Sequence, residues 1–201
     1  MIKCAIFDAD GTLLDSLGIW RKTDEEYILS KGRIFDNEAY GKINTMTYAE
    51  SIRFVKELYG LEESEEQISD EITALVREGY ADVKAVDGAE RLLKGLKDRG
   101  IPMAVATAND GELIRIGLQS TGLSGYFTRI LTCDETGCGK SDAAIFIRAA
   151  ELFGCRPEDT LVVEDDENYT RAAEQAGFIA LHISDIGGFD LEKQMCDSGR
   201  G

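Results

Sequence analysis

The pattern of apolar and polar positions changes character near Val86. Beyond that point short apolar runs, which predict strands, alternate with longer amphipathic stretches, which predict helices. The predicted strands cover 102–106, 129–132, 160–163 and 178–182. The predicted helices cover 89–99, 111–120, 143–153 and 170–176. Because helical crossovers join parallel strands, this alternation predicts a parallel sheet covered by helices.

The segment before Val86 has a different pattern of apolar and polar positions. It begins with an apolar run, Ile2–Phe7, which predicts one more strand, and it then shows helical patterns only. These patterns cover 17–31, 48–59 and 64–80, and the last opens on Ser64-Glu65-Glu66-Gln67, which has the form of a capping box. The last residues, 197–201, carry no predicted element and are expected to be disordered.

These patterns together predict an α/β fold with two parts. A Rossmann-like core with a parallel sheet comprises 1–14 and 83–201, and an α-helical cap, 15–82, is inserted after the first strand. An insert at that point is expected to sit over the carboxyl edge of the sheet, where ligands bind in open α/β sheets. The cap is therefore a candidate lid.

Composition narrows the possible partners. The 201 residues carry a formal net charge of −16, and 43% of them are hydrophobic, which allows a sizeable core. Negative charge repels phosphate backbones and anionic lipids, so we expect neither nucleic acid nor a membrane as a partner. Since no charged leader precedes an apolar signal segment and no apolar run could cross a bilayer, we expect a cytoplasmic protein, and we expect a monomer.

The five cysteines are scattered and form no C-x-x-C pair. An odd number without such a pair is typical of reduced thiols in a cytosol. Cys133 and Cys138 could be metal ligands, but the sequence has no second pair and only one His, His182. Incidental thiols are the better interpretation.

Two carboxylates follow the first strand directly, in Asp8-Ala9-Asp10-Gly11-Thr12. Alternate residues of an extended chain point the same way, so Asp8 and Asp10 can converge at the carboxyl end of this strand. Because two close carboxylates repel, such a pair needs a cation or a shared proton. The alternative is a plain D-x-D-G turn, since Asp and Gly are ordinary turn residues.

Polar groups also follow three later strands. Thr107-Ala108-Asn109 could hold an anion with a hydroxyl and backbone N–H groups, or could merely cap the next helix. Lys140, in a glycine-flanked loop, could reach a phosphate or could be a solvated surface lysine. Glu164 and Asp165 begin a run of four acids, which indicates a cation unless only one of them points inward. Oxygen ligands of this kind suit Mg²⁺.

The order of these groups resembles the haloacid dehalogenase superfamily, in its branch of phosphatases and phosphomutases with a helical cap. The resemblance spans nearly the whole chain and rests on four segments in the family's order: FDADGTLLDS, AVATAND, GCGKSDAAIF and VVEDDENYTRAAEQAG. The sequence departs from the family pattern at three positions beside the site. Ser141, Asp166 and Tyr169 stand where Pro, Ser and Gly are common in relatives.

The resemblance implies a role for each matching residue. Asp8 would be the nucleophile that forms an aspartyl-phosphate, and Asp10 the general acid and base, with its backbone carbonyl on Mg²⁺. Thr107 and Lys140 would hold the phosphoryl group beside the Ala108-Asn109 loop. Mg²⁺ would be bound by Asp8, Asp10, Asp165 and Glu164, the last directly or through water.

The implied function is therefore a Mg²⁺-dependent phosphatase that hydrolyses a small phosphorylated metabolite. Asp10 argues against the dehalogenase branch, which has no acid/base at that position. The first alternative is a sugar phosphomutase similar to β-phosphoglucomutase, but such mutases look to a His in the cap, and the only His here is His182. The second is a protein that binds phosphate without turnover. Specificity is expected to lie in the cap, where Trp20 and Arg53 are candidates to contact substrate.

Overall fold

The computed structural model describes residues 1–43, 46 and 48–196 of the chain. They form two compact units. The first, which we call the core unit, contains Met1–Ser16 and the chain from Ala81 onward. The second, the helical unit, is Leu17–Tyr80. The predicted end segment 197–201 lies outside the described residues.

The strands and helices follow one another in the predicted order. The strands are β1 (Cys4–Phe7), β2 (Met103–Thr107), β3 (Arg129–Thr132), β4 (Thr160–Glu164) and β5 (Ile179–His182). The helices are α1 (Leu17–Ser30), α2 (Asn37–Ile43), α3 (Tyr48–Tyr59), α4 (Glu65–Ala81), α5 (Ala89–Lys97), α6 (Gly111–Ser120), α7 (Cys133–Thr136), α8 (Ala144–Leu152), α9 (Glu167–Gln175) and α10 (Leu191–Cys196).

The five strands form one sheet in the order β3-β2-β1-β4-β5, and every neighbouring pair is parallel. This confirms the predicted Rossmann-like α/β fold. β1 is the central strand, and Phe7 pairs with Val105 on one side and Val163 on the other. Every residue of β1, β2 and β4 is buried, as continuous apolar runs predict for strands covered on both faces. Strand order reverses at β1, and in open α/β sheets ligands bind at this point.

One layer of the core packs small and aromatic side chains against this sheet. Ala149 and Ala150 of α8 are buried with Ile6, Ala104 and Val162. The small side chains let the helix backbone approach the strands closely. Phe146 and Phe178 close this layer with an edge-to-face contact, their ring centroids 6.4 Å apart.

Some helix boundaries differ from the predicted ones because capping side chains decide them. α9 begins at Glu167 rather than at 170, since the Asp166 carboxylate accepts hydrogen bonds from the backbone N–H groups of Asn168 and Tyr169. α8 begins at Ala144 because Ala143 takes a left-handed conformation, with φ of 58°. The short helices α2, α7 and α10 were not predicted, since so few residues show little periodicity.

The helical unit is formed by α1 to α4. Along α4 the buried residues Ile68, Ile72, Val76 and Tyr80 recur every fourth position and form one apolar stripe. The predicted capping box is confirmed: the Ser64 N–H donates to Gln67 Oε1 at 2.9 Å, and the Gln67 N–H donates to Ser64 Oγ at 3.2 Å. Over the described residues, no helix combines the length and the apolar character that a membrane crossing requires.

Candidate active site

The end of the central strand places Asp8 between two neighbouring strands. Its backbone N–H still donates to the Val163 carbonyl at 2.9 Å, so Asp8 continues the ladder one residue beyond β1. The side chain is buried, with 4% of the residue exposed. Gly11 then turns the chain with φ of 82°, a value that favours glycine. Asp8 is thus held rigidly at the carboxyl edge of the sheet.

Lys140 joins two buried carboxylates. It lies in the loop between α7 and α8, is 7% exposed, and its Nζ donates to Asp8 Oδ1 and to Glu164 Oε1, the latter at 2.6 Å. Burial disfavours the ammonium charge, but the two carboxylates outweigh burial, and the pKa of Lys140 is raised. The alternative of a solvated surface lysine is therefore wrong. Lys140 supplies a permanent positive charge beside Asp8.

The acidic run after β4 is ordered by its own backbone. Glu164, 1% exposed, accepts hydrogen bonds at Oε2 from the N–H groups of Asp165 and Asp166, at 3.0 and 3.1 Å. Asp166 turns away from the cluster to cap α9. Within this acidic run, Glu164 and Asp165 therefore lie near Asp8, whereas Asp166 caps α9.

Three carboxylates converge closely enough to hold a metal ion. One oxygen each of Asp8, Glu164 and Asp165 lie within 4.8 Å of one another, the only such group of potential ligands among the described residues. Burial, and then the charge of Asp8, raises the pKa of both Glu164 and Asp165. A divalent cation would offset this repulsion, and an all-oxygen donor set suits Mg²⁺. The residues present thus fit the predicted metal.

The Asp10 side chain faces other partners. Its Oδ1 accepts from the Ser16 hydroxyl at 2.6 Å, and its Oδ2 accepts from Asn109 Nδ2 at 3.0 Å. Asp10 is not a member of the three-carboxylate group. The two carboxylates of the first motif therefore have different partners, since Asp8 accepts from Lys140 and Asp10 accepts from Ser16 and Asn109.

The segment after β2 contributes Thr107, Ala108 and Asn109. Thr107 is buried, and its Oγ1 accepts from the Asn109 N–H at 3.0 Å, whereas Ala108 is exposed. The cap of α6 is Asp110, whose carboxylate accepts from Glu112 N–H and Leu113 N–H. The alternative in which Thr107 and Asn109 merely cap this helix is therefore wrong. Asn109 instead connects this segment to Asp10.

Trp20 and Arg53 lie in the helical unit. Trp20 Nε1 donates to the Tyr80 hydroxyl at 3.1 Å, and its ring makes edge contacts with Tyr48 and Tyr80. Arg53 Nε lies 3.5 Å from a carboxylate oxygen of Glu65, and both side chains are largely exposed. Their predicted contact with substrate remains a prediction.

The sequence analysis did not predict the contacts that three residues make beside the site. Ser16 binds Asp10, Tyr169 lies with its ring centroid 5.5 Å from Lys140 Nζ, and His182 Nε2 lies 2.7 Å from the Asp165 carbonyl oxygen. Ser16 and Tyr169 belong to segments that the family motifs already marked, so their position was a usable signal. His182 carried no such signal, because its role depends on the pairing of β4 with β5.

Comparison with known proteins identifies the family of the chain. Residues 2–177 match the family described as haloacid dehalogenase-like hydrolase. The chain is 29% identical over 185 residues to the bifunctional riboflavin kinase/FMN phosphatase of Arabidopsis thaliana, covering 92% of the chain and 49% of that protein, about half of its length. It is 27% identical over 178 residues to a fructose-1-phosphate phosphatase of Escherichia coli, covering 89% of the chain and 94% of that protein.

Among solved structures, that of β-phosphoglucomutase from Clostridium difficile superimposes with a TM-score of 0.79 at 18% identity. The match covers 97% of this chain and 96% of that one. At this level of identity the likeness concerns the fold.

Proposed function

Because the chain belongs to the haloacid dehalogenase-like hydrolase family, we propose that it is a Mg²⁺-dependent phosphatase that cleaves a small phosphate monoester through an aspartyl-phosphate on Asp8. One observation carries the proposal. Lys140 bridges Asp8 and Glu164 at the edge where Asp165 completes a three-carboxylate group, and the side chain of a fourth carboxylate, Asp10, accepts hydrogen bonds from Ser16 and Asn109.

The binding step follows from charge. Asp8, Glu164 and Asp165, together with the backbone carbonyl of Asp10, would hold Mg²⁺, which when bound neutralises charge on the phosphoryl oxygens. Lys140 adds a second positive charge beside Asp8, and the Thr107 hydroxyl with the Asn109 segment offers hydrogen bonds to the phosphate. A chain of net charge −16 needs such a local positive site to admit an anionic substrate.

In the first half-reaction a carboxylate oxygen of Asp8 attacks the phosphorus atom. The bond from phosphorus to the ester oxygen breaks, and the leaving alkoxide takes a proton from Asp10. Ser16 and Asn109 fix the orientation of the Asp10 carboxyl group for this transfer. The products are the free alcohol and a phosphoryl group on Asp8.

In the second half-reaction Asp10 acts as the base. It removes a proton from a water molecule, whose oxygen attacks phosphorus as the bond to the Asp8 oxygen breaks. Inorganic phosphate leaves, Asp8 regains its carboxylate, and Asp10 regains the proton that it gave in the first step. Each residue thus returns to its starting state, and water is the only added reactant.

Hydrolysis is favoured over transfer to a sugar hydroxyl for two reasons. The relatives from Arabidopsis thaliana and Escherichia coli carry the name phosphatase. The only His of the chain, His182, ends β5 in the core unit, outside the cap where such mutases place theirs. The proposed substrate class is therefore small phosphorylated metabolites, with water as the phosphoryl acceptor.

The test is phosphate release from a panel of monoesters that includes fructose 1-phosphate, FMN and β-glucose 1-phosphate, with sugar-phosphate isomers followed in the same samples. We expect release that needs Mg²⁺, stops with EDTA and is lost in Asp8→Asn with the fold retained by circular dichroism. Asp98→Asn, an exposed carboxylate at the end of α5, is the matched control and should keep full activity. Substantial turnover by Asp8→Asn would refute the assignment of the nucleophile, and isomer interconversion with little free phosphate would establish the mutase.

A further inference from the structure

The single histidine of the chain stands beside the acidic run. His182 ends β5, and the register of the sheet pairs it directly with Glu164, the last residue of β4. Paired residues on neighbouring strands project to the same face. The half-buried ring of His182 therefore lies next to the segment that carries Glu164 and Asp165.

The hydrogen bonds of this ring define its tautomer. Nε2 lies 2.7 Å from the Asp165 carbonyl oxygen, which can only accept, so Nε2 carries the proton. Nδ1 accepts from the Ser184 backbone N–H at 3.3 Å and lies 2.8 Å from the Ser184 hydroxyl. A backbone N–H can only donate, so Nδ1 has no proton. The ring thus connects Ser184 to Asp165.

The backbone N–H and carbonyl groups of Asp165 are consequently both hydrogen-bonded. Its N–H donates to Glu164 Oε2 at 3.0 Å, and its carbonyl accepts from His182. With both backbone groups fixed, only the side-chain torsions of Asp165 remain to be set. Its carboxylate then needs little reordering to face Asp8 and Glu164, with which it forms the three-carboxylate group.

We propose that His182 is a positioning residue for the metal site: through its Nε2–H it fixes the backbone at Asp165 and thereby orients the Asp165 carboxylate toward Mg²⁺. The inference rests on the proposed function, in which Asp165 is a metal ligand. It assigns His182 no contact with substrate. Groups that orient metal ligands from outside typically change metal affinity 10- to 100-fold when removed, and we expect about a tenfold loss here.

Two substitutions of His182 test the Nε2 donor and the Nδ1 acceptor separately. His182→Gln places a side-chain N–H₂ near the position of Nε2 and retains a donor for the Asp165 carbonyl. His182→Asn places an oxygen near the position of Nδ1, so it retains the acceptor for the Ser184 N–H but loses the donor. Ser184→Ala is the control, since it removes only the hydroxyl and leaves the backbone N–H in place.

The first measurement is nitrogen NMR of the protein labelled with ¹⁵N-histidine at pH 8, where one histidine gives one imidazole pattern. The spectrum should show the Nε2–H tautomer. The Nδ1–H tautomer, or an average of the two, would overturn the inference.

The second measurement is Mn²⁺ binding followed by electron paramagnetic resonance without substrate. We expect His182→Asn to bind Mn²⁺ about tenfold more weakly than the unsubstituted protein, with His182→Gln and Ser184→Ala within about threefold. Equal binding by His182→Asn would overturn the inference alone and leave the metal site in place. If the unsubstituted protein bound no more Mn²⁺ than Asp165→Asn, the proposed metal site itself would be wrong, and the inference would fail with it.

Discussion

A half-buried carboxylate in the helical unit offers a quantitative test of the packing. Asp24 of α1 lines a cavity of about 10 Å³ together with Tyr27, Ile28, Val55 and Ile72. No ion-pair or hydrogen-bond partner for its carboxylate occurs among the residues that the structure describes. Burial raises the pKa of Asp24 from an ordinary value of 3.8 to about 6. The protein therefore stabilises the neutral form of this side chain.

The effect on stability follows from linkage. Below pH 3.8 Asp24 is protonated in both the folded and the unfolded state, so its ionisation does not change the free energy of unfolding. As pH rises to about 6 the unfolded chain ionises first, so the free energy of unfolding falls, and above pH 6 the loss is complete. The two pKa values give a loss of about 1.6 kcal/mol at pH 5 and about 3 kcal/mol at pH 8.

The perturbation is Asp24→Asn, which cannot ionise. Burial of the amide carries its own cost of about 1–3 kcal/mol, but that cost does not depend on pH. The free energy of unfolding of the variant, relative to the original protein, should therefore rise by about 1.4 kcal/mol between pH 5 and pH 8. Urea titrations followed by the fluorescence of Trp20, the only tryptophan and a member of the same unit, measure it.

The control is Glu25→Gln, which makes the same change of net charge at the next residue of α1, where the side chain is exposed. We expect its effect to stay within about 0.5 kcal/mol at every pH. A constant difference between Asp24→Asn and the original protein from pH 5 to pH 8 would show that Asp24 is ionised in the folded state, and the argument from burial would be wrong.

Three other predictions test separate parts of the molecule. Gly79→Ala should destabilise the helical unit by about 1 kcal/mol despite the better helix propensity of Ala, because the added Cβ would clash with Ile19 Cγ2; thermal melts check this, and a second substitution, Ile19→Ala, should recover the lost stability. Arg53→Ala should change the ratios of kcat/KM across the monoester panel more than it changes stability, since its exposed pair with Glu65 contributes less than about 1 kcal/mol; unchanged ratios would remove Arg53 from substrate recognition. Mg²⁺ at tenfold above its Kd should raise the Tm by about 4 °C, and an equal shift in Asp165→Asn would exclude Asp165 as a ligand.

The fold was predictable because the information is local. Each strand is a short apolar run, and each crossover helix shows its own apolar face, so the alternation after Val86 suffices for a parallel sheet. The convergence of Asp8, Lys140 and Glu164 was predictable for a related reason. Parallel strands end at one edge, so polar residues that follow different strands meet there without any knowledge of the packing.

The remaining features depend on tertiary contacts or on single capping side chains. The bond from Ser16 to Asp10 needs the turn at Gly11, and the bond from His182 to Asp165 needs β5 beside β4. No periodic pattern encodes either contact. The start of α9 was misplaced because Asp166, counted among the acids of the site, serves as the helix cap.

The position of β1 in the sheet has a consequence for how the chain acquires its structure. Of the five strands of this sheet, the central one leaves the ribosome first, and Thr160 of its partner β4 follows 156 residues after Cys4. Closing a loop of that length costs about 4–5 kcal/mol of chain entropy, more than any local contact in the helical unit requires. The strand that carries Asp8 must therefore wait, without one of its two neighbours, until β4 has been synthesised. Nascent chains that end before β4 should lack an ordered Asp8, so the proposed catalytic site forms late in synthesis.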